Sequence, residues 1–137
     1  MRLLIVLAVL AATGTAAAAS PLPTFTGCAP PANVRPASIV VACADGNFYL
    51  TGLKWSHWTA TDAAAAGTGH ENDCTPYCAA GHFHTYSVTV HLFRPEHCKK
   101  GKLEFTRFSY RFVGAKPKVV ARTATISAPF RVGSGCP

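Results

Sequence analysis

From His82 to Arg94 the chain alternates strictly: His82, His84, Tyr86, Val88, Val90 and Leu92 share one parity, while Thr85, Ser87, Thr89 and His91 share the other. Side chains of a strand point to opposite faces with period two, whereas a surface helix needs apolar residues every three to four. This stretch therefore commits the chain to a half-buried strand. A second long strand follows the turn at 95–101. There Leu103 and Phe105 give way to Phe108, Tyr110 and Phe112, a change of parity that predicts a bulge near Thr106 with Arg107, Ser109 and Arg111 facing water. Beyond Pro117, Val120, Ala124, Ile126, Ala128, Phe130 and Val132 share a parity again. Arg122 interrupts the set and Pro129 argues for an edge strand. Upstream, the run Ile39-Val40-Val41, the turn-forming Ala44-Asp45-Gly46-Asn47 and the stretch 48–55 read as strand, tight turn, strand. The low-complexity segment 59–69, with a run of four alanines at 63–66, is expected to be a loop or a weak edge strand.

Amphipathic helical periodicity is absent throughout. The expected fold is all-β: a small, disulfide-stapled antiparallel β-sandwich of about five to seven strands, an immunoglobulin-like arrangement being one form of it. With 137 residues there is room for one core, and with 14% charged residues the composition is not that of a disordered chain.

Residues 1–19 carry a basic start at Arg2, an apolar stretch from Leu3 to Ala12 and a small-residue tail in which Ala17-Ala18-Ala19 fits an A-x-A cleavage site. That is the pattern of a secretory signal peptide, and its apolar stretch is about half the roughly 20 residues a spanning helix needs. No later run is long enough to span either. The expected organisation is a signal peptide at 1–19, a Pro-rich leader at 20–37 and one β domain at 38–137, in a secreted chain exposed to the extracellular space or a bacterial envelope. Six cysteines (Cys28, Cys43, Cys74, Cys78, Cys98 and Cys136) then read as up to three disulfides. Six allow 15 connectivities. Only Cys74 with Cys78 is singled out, since a turn brings residues four apart close together. The alternative fate of Cys28, lipidation after a weak Thr-Gly-Cys box, would leave one cysteine unpaired.

Three features bear on chemistry. His82 and His84, two apart on a strand, project to one side and could hold a metal with His70, Glu71 or Asp73, but spacing fixes only two ligands where zinc takes three or four. Packing and hydrogen bonding at the end of the core face is the preferred role for the pair. Charge is split unevenly. Residues 20–93 carry two basic and four acidic side chains, and residues 94–137 carry ten basic and two acidic. Lys99, Lys100, Lys102, Arg107 and Arg111 are the candidate contacts for an anionic cell-wall polymer or another envelope component, although such residues also serve simply to solvate an outer face. No motif for sequence-specific nucleic-acid binding accompanies them. Period two, finally, places Tyr49, Leu53 and Trp55 on one face, which assigns Trp55 to the core and leaves Trp58 and His57 as candidates for an exposed contact.

The stretch Ile39 to Leu50 with its Ala-Cys-Ala-Asp-Gly-Asn turn, then Leu53-Lys54-Trp55, and then Asn72-Asp73-Cys74-Thr75-Pro76-Tyr77-Cys78-Ala79-Ala80-Gly81-His82-Phe83-His84 resembles small secreted actinobacterial proteins of unknown function. The likeness spans 38–98. It implies export and an envelope or extracellular setting, and carries over no catalytic residue. Since no nucleophile elbow or paired acid/base spacing is present, the expected function is a non-enzymatic binding or structural role without cofactor, the alternative being a secreted metal-binding module or metalloenzyme using His82 and His84.

Overall fold

A computed structural model describes residues 20–28, 31–98, 101–118 and 123–127; the expected signal peptide at 1–19, Lys99, Lys100, Cys136 and the ends of the last expected strand lie outside them. The fold is all-β. Its strands are β1 (Ile39–Val40), β2 (Phe48–Trp58), β3 (Asp62–Asn72), β4 (Phe83–His97), β5 (Leu103–Phe112) and β6 (Thr123–Ser127). They form one antiparallel sheet in chain order, each paired with its sequence neighbour. Among the described residues there are no two facing sheets of the kind a sandwich requires, because no connection carries the chain from one sheet to another.

A single sheet buries a core only by curling. Three strand-to-strand steps of about 4.8 Å would hold β2 and β5 about 14 Å apart in a flat sheet. Yet the Phe48 ring lies 5.1 Å from that of Tyr110 and 5.7 Å from that of Phe112, and Trp58 lies 5.4 Å from Phe105. Two irregularities in β2 assist the curvature, between Thr51 and Lys54 and between Trp55 and His57. At the first, Gly52 adopts φ +60°, a conformation that costs any residue with a Cβ. Together they shift the parity of β2, so that Phe48, Leu50, Leu53 and Trp58 are buried and Trp55 packs against the same core. This corrects two sequence expectations. Tyr49 stacks on His70 away from Leu53, and Trp58, only 5% exposed, is a core residue whose indole N–H donates to the Pro23 carbonyl at 2.8 Å.

The segment 59–69 differs most from expectation. Instead of a loop or edge it forms most of β3, a central strand paired along its length with β2 and β4. Its small side chains are the reason. A Cβ on Gly67 would come within 2.7 Å of the Thr51 carbonyl oxygen and 2.8 Å of Leu53, and one on Gly69 within 2.9 Å of Phe112. Neighbouring strands thus close over a strip that has little apolar contrast of its own.

β4 follows its alternation, with Val88, Val90 and Leu92 buried, and runs through Pro95 to His97, further than expected. The bulge expected near Thr106 does not form; the backbone departs from regularity on the facing strand instead, at Arg94, whose φ is +58° and whose carbonyl accepts the Thr106 hydroxyl at 2.7 Å. The register from Phe93↔Arg107 to Pro95↔Phe105 contains no inserted residue.

The Pro-rich segment is built into the fold. Thr24 bridges Glu104 in parallel, Phe25 is 2% exposed with its ring 5.9 Å from Phe108, and Trp55 donates to the Pro36 carbonyl at 2.9 Å. Disulfides join Cys28 to Cys43 and Cys74 to Cys78, and no described cysteine is free. Among the described residues, no helix is long and apolar enough to cross a membrane.

Candidate functional site: a polar cleft at one end of the curled sheet

The chain leaves β3 at Asn72, turns through the Cys74–Cys78 bridge and a 3-10 turn at Cys78–Ala80, and returns as β4. Asp73 holds this connection closed. Its Oδ1 accepts the backbone N–H groups of Thr75 at 3.1 Å and His82 at 3.0 Å, and its Oδ2 accepts His84 Nε2 at 2.9 Å. Those bonds, the one from His84 foremost, keep the Asp73 carboxyl well below the usual carboxylate range.

Glu71 stands opposite in character. The register sets it between Phe48 of β2 and His84 of β4, on the core face. It is 3% exposed, and its Oε1 is buried without a hydrogen-bond partner. Burial pushes its carboxyl above the ordinary glutamate value; His84 opposes the shift and Asp73 adds to it. Past the end of β5 the Val113 N–H bonds the Ser87 carbonyl, which leads the chain back along the start of β4. Glu71, Asp73, Thr75, His84, Tyr86 and Lys118 then line a cleft of about 520 Å³. It contains one carboxyl held ionised and another disfavoured as an ion, and a lysine is part of the same lining.

The candidate metal ligands do not converge. His82 precedes β4 and is exposed, contributing its backbone N–H to Asp73. His70 pairs with Thr85 while Glu71 pairs with His84, so His70 faces the opposite side of the sheet, where it stacks on Tyr49 at 4.6 Å and bonds the Thr51 hydroxyl at 2.8 Å. Among the described residues no three His, Cys, Asp or Glu side chains are grouped to hold a metal ion. The period-two register thus separates His70 from His84, and His82 stands apart because β4 begins only at Phe83.

His57 is exposed, as anticipated, but engaged: its Nε2 lies 2.8 Å from Asp62 Oδ2, and His91 Nε2 lies 3.4 Å from the same oxygen. The His57 bond, followed by that of Thr59 and then His91, lowers the Asp62 carboxyl to about 2. Of the cationic candidates, Lys102 is exposed in the turn after β4, Arg111 is exposed on β5, and Arg107 is half-buried with Nη1 donating to the Thr106 carbonyl at 3.0 Å. Lys99 and Lys100 lie outside the described residues. Acidic partners for this charge are few, because the acids are engaged elsewhere: Asp62 and Asp73 by histidines, Glu104 by the Thr26 hydroxyl at 2.8 Å, and Asp45 by the Asn47 backbone N–H at 3.1 Å. Arg94 does meet Glu96, at 3.2 Å.

The sequence pointed to His84, Glu71 and Asp73 as neighbours, with Tyr86 beside His84, but not to Lys118 as part of the same cleft. Lys118 arrives from a segment more than 30 residues away, and no local signal announces it. In comparisons with known proteins, no family model, curated protein or solved structure matches this chain.

Proposed function

We propose that this chain is an exported, non-enzymatic β domain whose cationic second half binds an anionic polymer of the bacterial envelope. The observation that carries this reading is the distribution of charge. The chain has 13 Lys and Arg against 6 Asp and Glu, and its described acids are satisfied largely by histidines, hydroxyls and backbone amides. Cationic charge that is not neutralised within the fold is available to a polyanion through a long-range, screened attraction. The disulfides and the N-terminal signal pattern favour a setting outside the cytosol.

Retention of the oxidised protein on isolated cell wall, measured across a salt series, tests the reading. Screening shortens from about 10 Å at 0.1 M to about 3 Å at 1 M ionic strength, so retention should collapse over that range. It should also weaken when Lys99, Lys100 and Lys102 are together replaced by Gln. Retention indifferent to both salt and the triple replacement overturns the reading, and N-terminal sequencing of exported material should begin at Ser20.

A further inference from the structure

The cleft between the 73–82 connection and the start of β4 lies apart from the cationic residues Lys102, Arg107 and Arg111 and has a different chemistry. Its distinguishing feature is the Glu71 carboxyl. A buried polar atom without a partner is disfavoured by about 1–3 kcal/mol relative to one that is hydrogen-bonded. Such an orphan is uncommon in a folded domain, and this one belongs to a side chain that lines an open cleft. That oxygen is closed off from solvent, so a small turn of the Glu71 side chain toward the cleft would be needed to bring it to an incoming hydrogen-bond partner and remove the deficit.

The other walls restrict what that partner can be. Asp73, already accepting three hydrogen bonds, is an ionised carboxylate that repels an anion, and Lys118, which also lines the cleft, repels a cation. A neutral ligand with groups that both donate and accept meets neither penalty. Hydroxyl groups do so, and they can also bond the Thr75 hydroxyl and the His84 ring at the rim. Tyr86, half-buried with its ring edge-on to Phe112 at 5.7 Å, supplies an aromatic wall held rigid by the core. An aromatic ring packs against the C–H face of a sugar while leaving its hydroxyls free to bond. The cleft, about 520 Å³, is within the range of sites that take small molecules.

We propose that this cleft is a binding site for a neutral saccharide, one or two rings of a glycan, held by hydrogen bonds to Glu71 and Asp73 and by packing on Tyr86. The inference does not depend on polyanion binding: a salt-insensitive saccharide site can stand or fall by itself.

The test is an NMR titration of the full oxidised chain with maltose, cellobiose, lactose and N,N′-diacetylchitobiose, with sodium phosphate and ethanolamine as anionic and cationic controls. At least one disaccharide should shift the backbone resonances of Glu71, Asp73, His84, Tyr86 and Lys118 saturably, and neither control should. Glu71→Met, nearly isosteric and without polar atoms, should weaken that saccharide by about tenfold, the loss of one well-made hydrogen bond to a buried group. Its melting temperature should stay at or above that of the wild type, which separates a binding role from a structural one. If Glu71→Met does not fold, Thr75→Val at the exposed rim should weaken binding instead. Absence of shifts with all four disaccharides, shifts of the same residues with phosphate or ethanolamine, or an unchanged affinity in the folded variant would each overturn the proposal.

Discussion

Two carboxylates two residues apart, Glu71 and Asp73, are driven in opposite directions by their surroundings, and their effects on stability have opposite signs. Glu71 is raised above 4.5 by burial, so folding disfavours its ionised form. Its destabilisation is present above the raised value and disappears as pH falls toward 4.5. Asp62, lowered to about 2, and Asp73, lowered further, act the other way. Their stabilisation is complete above 3.8 and is lost as pH falls below it. The melting temperature should therefore rise as pH is lowered from neutral, pass a maximum and then decline. Glu71→Gln should raise stability at neutral pH by about 1 kcal/mol and flatten the rise. Asp62→Asn should leave the rise intact and soften the acid decline. Both follow from thermal melts across pH, and a Glu71→Gln variant with the wild-type profile would contradict the assignment. The sequence showed this acidic pair and the neighbouring histidines, but not which carboxyl would be buried, since the flanking His70 and Asn72 carry no sign of it.

At the level of a single element, β3 shows how a strand can form without an apolar signature. Period two was legible in β4 because its buried and exposed residues differ in polarity. In β3 alanine and glycine occupy both faces, so the pattern is silent and pairing with β2 and β4 decides. Substitutions in two glycines separate packing from backbone effects. Gly67→Ala places a methyl against the Thr51 carbonyl and Leu53 and should destabilise by about 1–3 kcal/mol in urea unfolding. Gly52→Ala meets nothing within 4 Å, so only its positive φ matters, at a cost of about 1 kcal/mol. Gly52→Asn should recover part of that loss, since asparagine tolerates the left-handed region, whereas Gly67→Asn should recover nothing. The same irregularity at Gly52 explains why a simple count by twos misplaced Tyr49 and Trp58.

For the molecule as a whole, the curl of one sheet and the N-terminal segment lying against it replace the second sheet of a sandwich. Phe25 and Pro23 reach the core only because the segment is fastened, by the Thr24 bridge to β5 and by Cys28 to Cys43. Replacing both cysteines by serine removes a link across 15 residues and should cost about 3 kcal/mol. Because the Pro23 and Pro36 carbonyls accept from Trp58 and Trp55, detachment of the segment should alter tryptophan fluorescence before the sheet itself unfolds. Coincident fluorescence and far-ultraviolet transitions in the double variant would show that the segment and sheet still unfold as one unit.

The sequence by itself determined the all-β character, the position and inward face of β4, and a cysteine complement suited to crosslinking, because each of these is written in residue type and in spacing between near neighbours. Tertiary structure alone decided that the strands form one curled sheet, that β3 lies at its centre, that Trp58 faces inward and that Glu71 Oε1 is buried without a hydrogen-bond partner in a side chain lining the same cleft as Lys118. Those outcomes depend on register, curvature and contacts between segments distant in the chain, where the identity of a residue matters less than which side chains the sheet brings to meet it.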